Sequence, residues 1–139
     1  MTRIDFYRCA EDKLRFACRL AAKVYEKPAK LVVYSPDRSV LARFDQALWT
    51  YQSLKFVPHC MAGAPVAAET PVILATEGDA LPHHEVMLNL GDTEPKDFAT
   101  FERLLEIIGT DEDDKARARE RYAFYKKRGY ELHVNEVEA

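Results

Sequence analysis

The residues of this chain best placed to do chemistry are a row of cations near its C-terminus. Lys115, Arg119, Tyr122 and Lys126 follow one another at steps of four, three and four residues. At about 100° per residue, a helix would gather them within about 60° of one another along a single stripe. Cations flanking an aromatic ring suit a short peptide that carries aspartates and ends in an apolar side chain. Lysine and arginine would take the carboxylates, arginine by a two-pronged fork, and the ring with neighbouring Ile108 would line an apolar pocket. On spacing alone, a solvated charged face with Tyr122 simply packed is the plainer account, because such faces are common.

A second group is aromatic. Leu48-Trp49-Thr50-Tyr51 leads into Phe56-Val57-Pro58-His59 and holds the only tryptophan of the chain. Trp and Tyr are enriched at binding hot spots, and function tends to sit on loops. The same residues would equally cap the core beneath a loop, and composition does not separate the two.

Catalytic and cofactor chemistry finds little to work with. The first strand runs into Tyr7-Arg8-Cys9-Ala10-Glu11, with no glycine to let a pyrophosphate approach the backbone, and the five glycines of the chain stand alone. Neither a dinucleotide fingerprint nor a P-loop is present. For metals, His83-His84-Glu85 and His59-Cys60 are the candidates. Adjacent side chains on a strand point to opposite faces, and no Cys-x-x-Cys pair offers a zinc site. A solvated turn is the simpler reading of His83 and His84. Cys60 with His59 lacks an orienting acid or a nucleophile elbow. No catalytic residue, metal ligand or cofactor is expected.

These groups need elements to carry them. Arg3–Tyr7 alternates as a short strand, and a helix is predicted over 10–26 from Leu14, Ala17, Cys18, Ala21, Val24 and Tyr25. Leu31-Val-Val-Tyr34 is a buried strand, after which Ser35-Pro36 offers an N-cap and a first helical residue for a second helix. An irregular segment, 50–70, precedes strands at 71–75 and 86–90. A third helix is predicted over 95–108 with Phe98, Phe101, Leu104, Leu105 and Ile108 inward and Gly109 as its left-handed end. The last helix covers 112–128, its acids 111–114 near the positive end of the dipole, and closes at Gly129 before a short edge strand at 130–134. Alternating strands and helices give an α/β fold, one Rossmann-like domain over 1–139 with a largely parallel sheet flanked by helices and no nucleotide-binding glycine loop.

Composition agrees with a single globular domain. Of 139 residues, 47% are apolar and 31% charged, far from disorder. Net charge is −3, which does not suggest a bulk nucleic-acid binder, yet 115–128 concentrates lysine and arginine locally. Three scattered cysteines read as reduced thiols, and nothing resembles a signal peptide or membrane span, so a cytoplasmic protein is expected.

At these same residues the chain resembles the chi subunit family of bacterial DNA polymerase III, over essentially its whole length. The resemblance runs from Ile4-Asp5-Phe6-Tyr7 through Asp45-Gln46-Ala47-Leu48-Trp49, Phe56-Val57-Pro58-His59, Glu69-Thr70-Pro71-Val72 and Leu88-Asn89-Leu90. It ends in Ala118-Arg119-Glu120-Arg121-Tyr122 and Gly129-Tyr130. It implies a cofactor-free Rossmann-like fold with two protein contacts. One is the psi subunit, which tethers chi to the clamp loader. The other is the acidic C-terminal tail of single-stranded DNA-binding protein, which ends in aspartates, proline and phenylalanine. Carried over by position, the tail site falls on Lys115, Arg119 and Tyr122 with Ile108 at the apolar edge, which favours the binding account of the stripe over the solvated one. A position that is basic in some relatives is Ala123 here, and Lys126 or Lys127 could replace that charge one turn on. The psi contact maps to Trp49 and Phe56. No direct DNA binding is expected; the rival from another class is a single-stranded nucleic-acid module using the same basic helix on phosphates.

Overall fold

The computed structural model describes residues 2–9, 12–27, 29–51 and 57–136. Its seven strands are β1 (Arg3–Arg8), β2 (Leu31–Tyr34), β3 (His59–Met61), β4 (Val72–Ala75), β5 (Val86–Asn89), β6 (Arg103–Ile108) and β7 (Glu131–Glu136). They form one sheet in the order β3-β4-β2-β5-β6-β1-β7, with every pairing parallel. The helices are α1 (Lys13–Glu26), α2 (Arg38–Thr50) and α3 (Glu112–Lys127).

The sheet separates two cores. On one face Phe16 and Leu20 of α1 and Leu41 and Phe44 of α2 pack against Leu31, Val33, Leu88, Leu105 and Ile107. On the other, Ile4, Phe6, Val32, Met87 and Leu104 meet Phe98, Phe101 and Tyr125. Strands buried on both faces read as continuous apolar runs, as Leu31-Val-Val and Val72-Ile-Leu-Ala do.

That same rule corrects the expected third helix. Residues 103–108 are β6, a strand between β5 and β1, preceded by a single 3₁₀ turn at Phe98–Thr100. Leu104-Leu105-Glu106-Ile107 is fully buried because alternate side chains enter opposite cores. A run apolar on both faces carries no periodicity that tells strand from helix, and here the β-branched isoleucines favour the strand. With no helix ending there, Gly109 does not adopt a left-handed conformation; Gly129 does, with φ +81°. The expected irregular segment contains β3, a three-residue edge strand. The second helix starts two residues later than expected from Ser35-Pro36. Asp37 is its N-cap, accepting from the Ser39 amide at 2.9 Å, while Ser35 Oγ accepts from the Asp37 amide.

Candidate functional site

Parallel α/β sheets bind ligands outside the carboxyl ends of their strands. At the ends of β1, β6 and β7 this protein has an open groove of about 990 Å³. Its sheet side is Phe6 and Arg8 of β1, Ile108 of β6 and Val134 of β7. Its helical wall is Lys115, Ala118, Arg119 and Tyr122 of α3. Four of the five residues expected for tail binding, namely Ile108, Lys115, Arg119 and Tyr122, therefore line one cavity. Lys126, the fifth, is exposed on the last turn of α3 and does not line it.

α3 must be held firmly for this wall to keep its shape, and its sequence is poor in apolar anchors. Its buried residues are Asp114, Ala118, Arg121 and Tyr125. Two polar clusters do the anchoring. At the N-terminus Asp111 caps the helix, accepting from the Asp114 amide at 2.7 Å. The Asp114 carboxylate accepts from the Gly109 amide at 2.6 Å and from Lys13 of α1 at 3.0 Å. A Cβ at Gly109 would sit 2.6 Å from that carboxylate, so a glycine is needed to let it in. Burial raises the Asp114 pKa, but Lys13 and the Gly109 amide outweigh it and hold the carboxyl below its ordinary range.

Further along, Glu106 of β6 is completely buried under α3. Its carboxylate accepts from Arg121 Nε at 3.0 Å, from the Tyr125 hydroxyl at 2.6 Å and from Asn89 Nδ2 at 3.1 Å. Burial pushes the Glu106 carboxyl up, and Arg121, Tyr125 and Asn89 pull against that shift. Arg121 also donates to the Asp92 carbonyl at 3.0 Å, tying the loop after β5 to the helix.

The cations of α3 thus separate into classes that spacing alone did not distinguish. Arg121 is buried on Glu106, and Arg117 lies 3.3 Å from Asp92. Arg128 stacks over the Phe124 ring at 3.7 Å. Lys115 and Arg119 face the groove; Lys115 has only a loose 3.7 Å contact with Glu112, and Arg119 has no ion pair among the described residues. Tyr122 is half-buried and meets Phe6 edge-on, ring centroids 5.5 Å apart, so its ring forms floor as well as wall. The expected site missed Phe6, Arg8 and Val134. Phe6-Tyr7-Arg8 alternates across β1, which places residues 6 and 8 on one face, but only the sheet order brings that face under α3.

The aromatic group lies across the sheet, beside the opposite edge strand β3. Trp49, on the last turn of α2, is 53% exposed, and its ring lies 4.7 Å from that of His59. A carbonyl only accepts, so His59 Nδ1, 2.7 Å from the Val57 carbonyl, carries a proton; Asp45 Oδ1 lies 3.0 Å from Nε2. The Val57 carbonyl, rather than the Cys60 thiol, takes the hydrogen bond of the imidazole. Phe56 lies outside the described residues. The expected solvated turn at 83–84 is half right: His84 is exposed against Phe101, whereas His83 is buried and held below its ordinary pKa by that burial. Among the described residues no three His, Cys, Asp or Glu side chains gather as a metal site, and no helix is long and apolar enough to cross a membrane.

Residues 1–133 match the family model described as "DNA polymerase III chi subunit, HolC". Three relatives carry the name DNA polymerase III subunit chi. The chain is 29% identical to that of Pseudomonas aeruginosa over 136 residues, covering 95% of this chain and 94% of the relative. It is 26% identical to that of Haemophilus influenzae, covering 93% and 90%, and 28% identical to that of Escherichia coli, covering 86% and 82%.

Proposed function

The chain belongs to the DNA polymerase III chi subunit family, and from that premise we propose that it is a non-catalytic tether within the replicase. In this reading the groove takes the acidic C-terminal tail of single-stranded DNA-binding protein, and the Trp49 side of the molecule takes the psi subunit. Through psi the clamp loader is held to template already coated with single-stranded DNA-binding protein. The observation that carries the reading is the groove itself, whose floor is Phe6, Ile108 and Tyr122 and whose helical rim presents Lys115 and Arg119. An apolar terminal ring fits the floor while preceding aspartates meet the cations. Each contact can be weak, because several tails and a linked complex raise the effective concentration.

The test is a titration of the chain into a fluorescent peptide ending in aspartate-proline-phenylalanine, beside a control lacking the final phenylalanine. The expected result is saturable binding that weakens with salt and is lost with the phenylalanine. Equal binding of both peptides would reduce the groove to a basic face and favour the nucleic-acid reading. That reading predicts single-stranded oligonucleotide binding by the same cations.

A further inference from the structure

Phe6 and Arg8 of β1 and Val134 and Glu136 of β7 stand as two matched pairs. β1 and β7 run parallel in register, with Phe6 opposite Val134 and Arg8 opposite Glu136. Side chains two residues apart share a face of the sheet, so each strand contributes one apolar residue to the groove floor and one charged residue beyond it. Arg8 Nη1 lies 2.8 Å from Glu136 Oε1. The two side chains are 60% and 77% exposed, which makes the pair easy to exchange for another partner.

Arg8 lines the groove on the sheet side, across from Lys115 and Arg119 on α3. We propose that Arg8 is a third cationic contact for the acidic peptide, and that Glu136 is an internal stand-in carboxylate which the peptide displaces. This rests on the acidic-peptide reading of the groove. It adds that the mouth is occupied by the protein's own acid when empty, so affinity is set partly by competition within the chain. A peptide carboxylate arriving at Arg8 replaces one charge-assisted hydrogen bond with another and frees Glu136 to water. The exchange discriminates against ligands that offer only a terminal ring and no acid upstream.

The experiment is a double-mutant cycle on the full chain, titrated with the aspartate-proline-phenylalanine peptide at low and at moderate salt. Glu136→Gln should tighten binding about two- to fivefold at low salt, and Arg8→Gln should loosen it by a similar factor. In the Arg8→Gln background the gain from Glu136→Gln should vanish. Glu131→Gln removes the same charge from the far end of β7 and should leave affinity unchanged. An equal gain from Glu136→Gln with and without Arg8, or equal gains from Glu131→Gln and Glu136→Gln, would overturn the competition and leave only a through-space charge effect. Unchanged affinity in Arg8→Gln would overturn the contact. If wild type and every variant alike fail to bind the peptide, the reading of the groove falls, and this one with it.

Discussion

The two edges of the sheet present contrasting surfaces. Beside β7 lies a concave groove whose lining comes from three strands and α3, with cations above an apolar floor. Beside β3, Trp49 projects from the end of one helix, steadied by the His59 ring. The first is a preformed groove that brings cations and an apolar floor together. The second is a single large aromatic at the end of a helix beside a short edge strand, the kind of exposed ring whose burial is favourable. A recognition site for a short mobile peptide needs walls; a docking site for a folded partner needs an exposed anchor.

The sharpest way to break this contrast is to loosen the groove wall without touching its lining. Arg121→Ala leaves Glu106 buried without its counter-charge, held only by Tyr125 and Asn89, and should cost about 3–5 kcal/mol in urea unfolding. Peptide affinity should fall with it, although Arg121 does not line the groove. Next in size, Arg119→Ala and Tyr122→Ala should each weaken the peptide tenfold or more, about 1.4 kcal/mol or above, with the fold and psi pairing retained. Trp49→Ala should do the reverse; loss of both contacts in one variant would point to misfolding instead.

A smaller effect should come from Asp114→Asn, expected to lower stability by about 1–2 kcal/mol at neutral pH through the hydrogen bonds from Lys13 and Gly109. The Asp114 carboxyl is held below its ordinary range. Its contribution is therefore present above the unfolded carboxylate pKa, near 4, and is lost as pH falls through the lower folded value. Unfolding curves of wild type and variant should approach one another as the solution is acidified, and a constant gap would contradict this. Smallest of all, Lys126→Ala should change peptide affinity by less than about twofold, since the side chain lies beyond the groove. A large loss would extend the site a full turn along α3.

The legible and illegible parts of the site divide on physical grounds. The stripe on α3 was visible because helical spacing alone decides which side chains share a face, and a helix at 112–127 was marked by its N-terminal acids and by Gly129. The sheet half of the groove was not. Phe6, Ile108 and Val134 lie more than twenty-five residues apart from one another in the chain and meet only through the order β6-β1-β7. Residues 103–108 look helical in sequence because a strand between two cores shows neither period, and that expectation puts Ile108 at a helix end rather than at the end of β6. Arg121 read as one more surface cation. Its partner Glu106 sits in that strand, so the buried pair had no signature in the local sequence.

The order β6-β1-β7 also has a meaning in time. β1 is made first, yet its neighbours in the sheet are residues 103–108 and 131–136. The strands β2 to β5 pair among themselves over a contiguous stretch, so the Trp49 edge can assemble on a partly synthesised chain. The opposite edge must wait, because loop closure between distant strands is the slow part of folding such sheets. The groove, with Phe6 from the first strand and Val134 from the last, is completed only when β7 joins. A chain truncated before β7 would lack the Val134 side of the groove, and on the ribosome the surface beside Trp49 would form before the groove is complete.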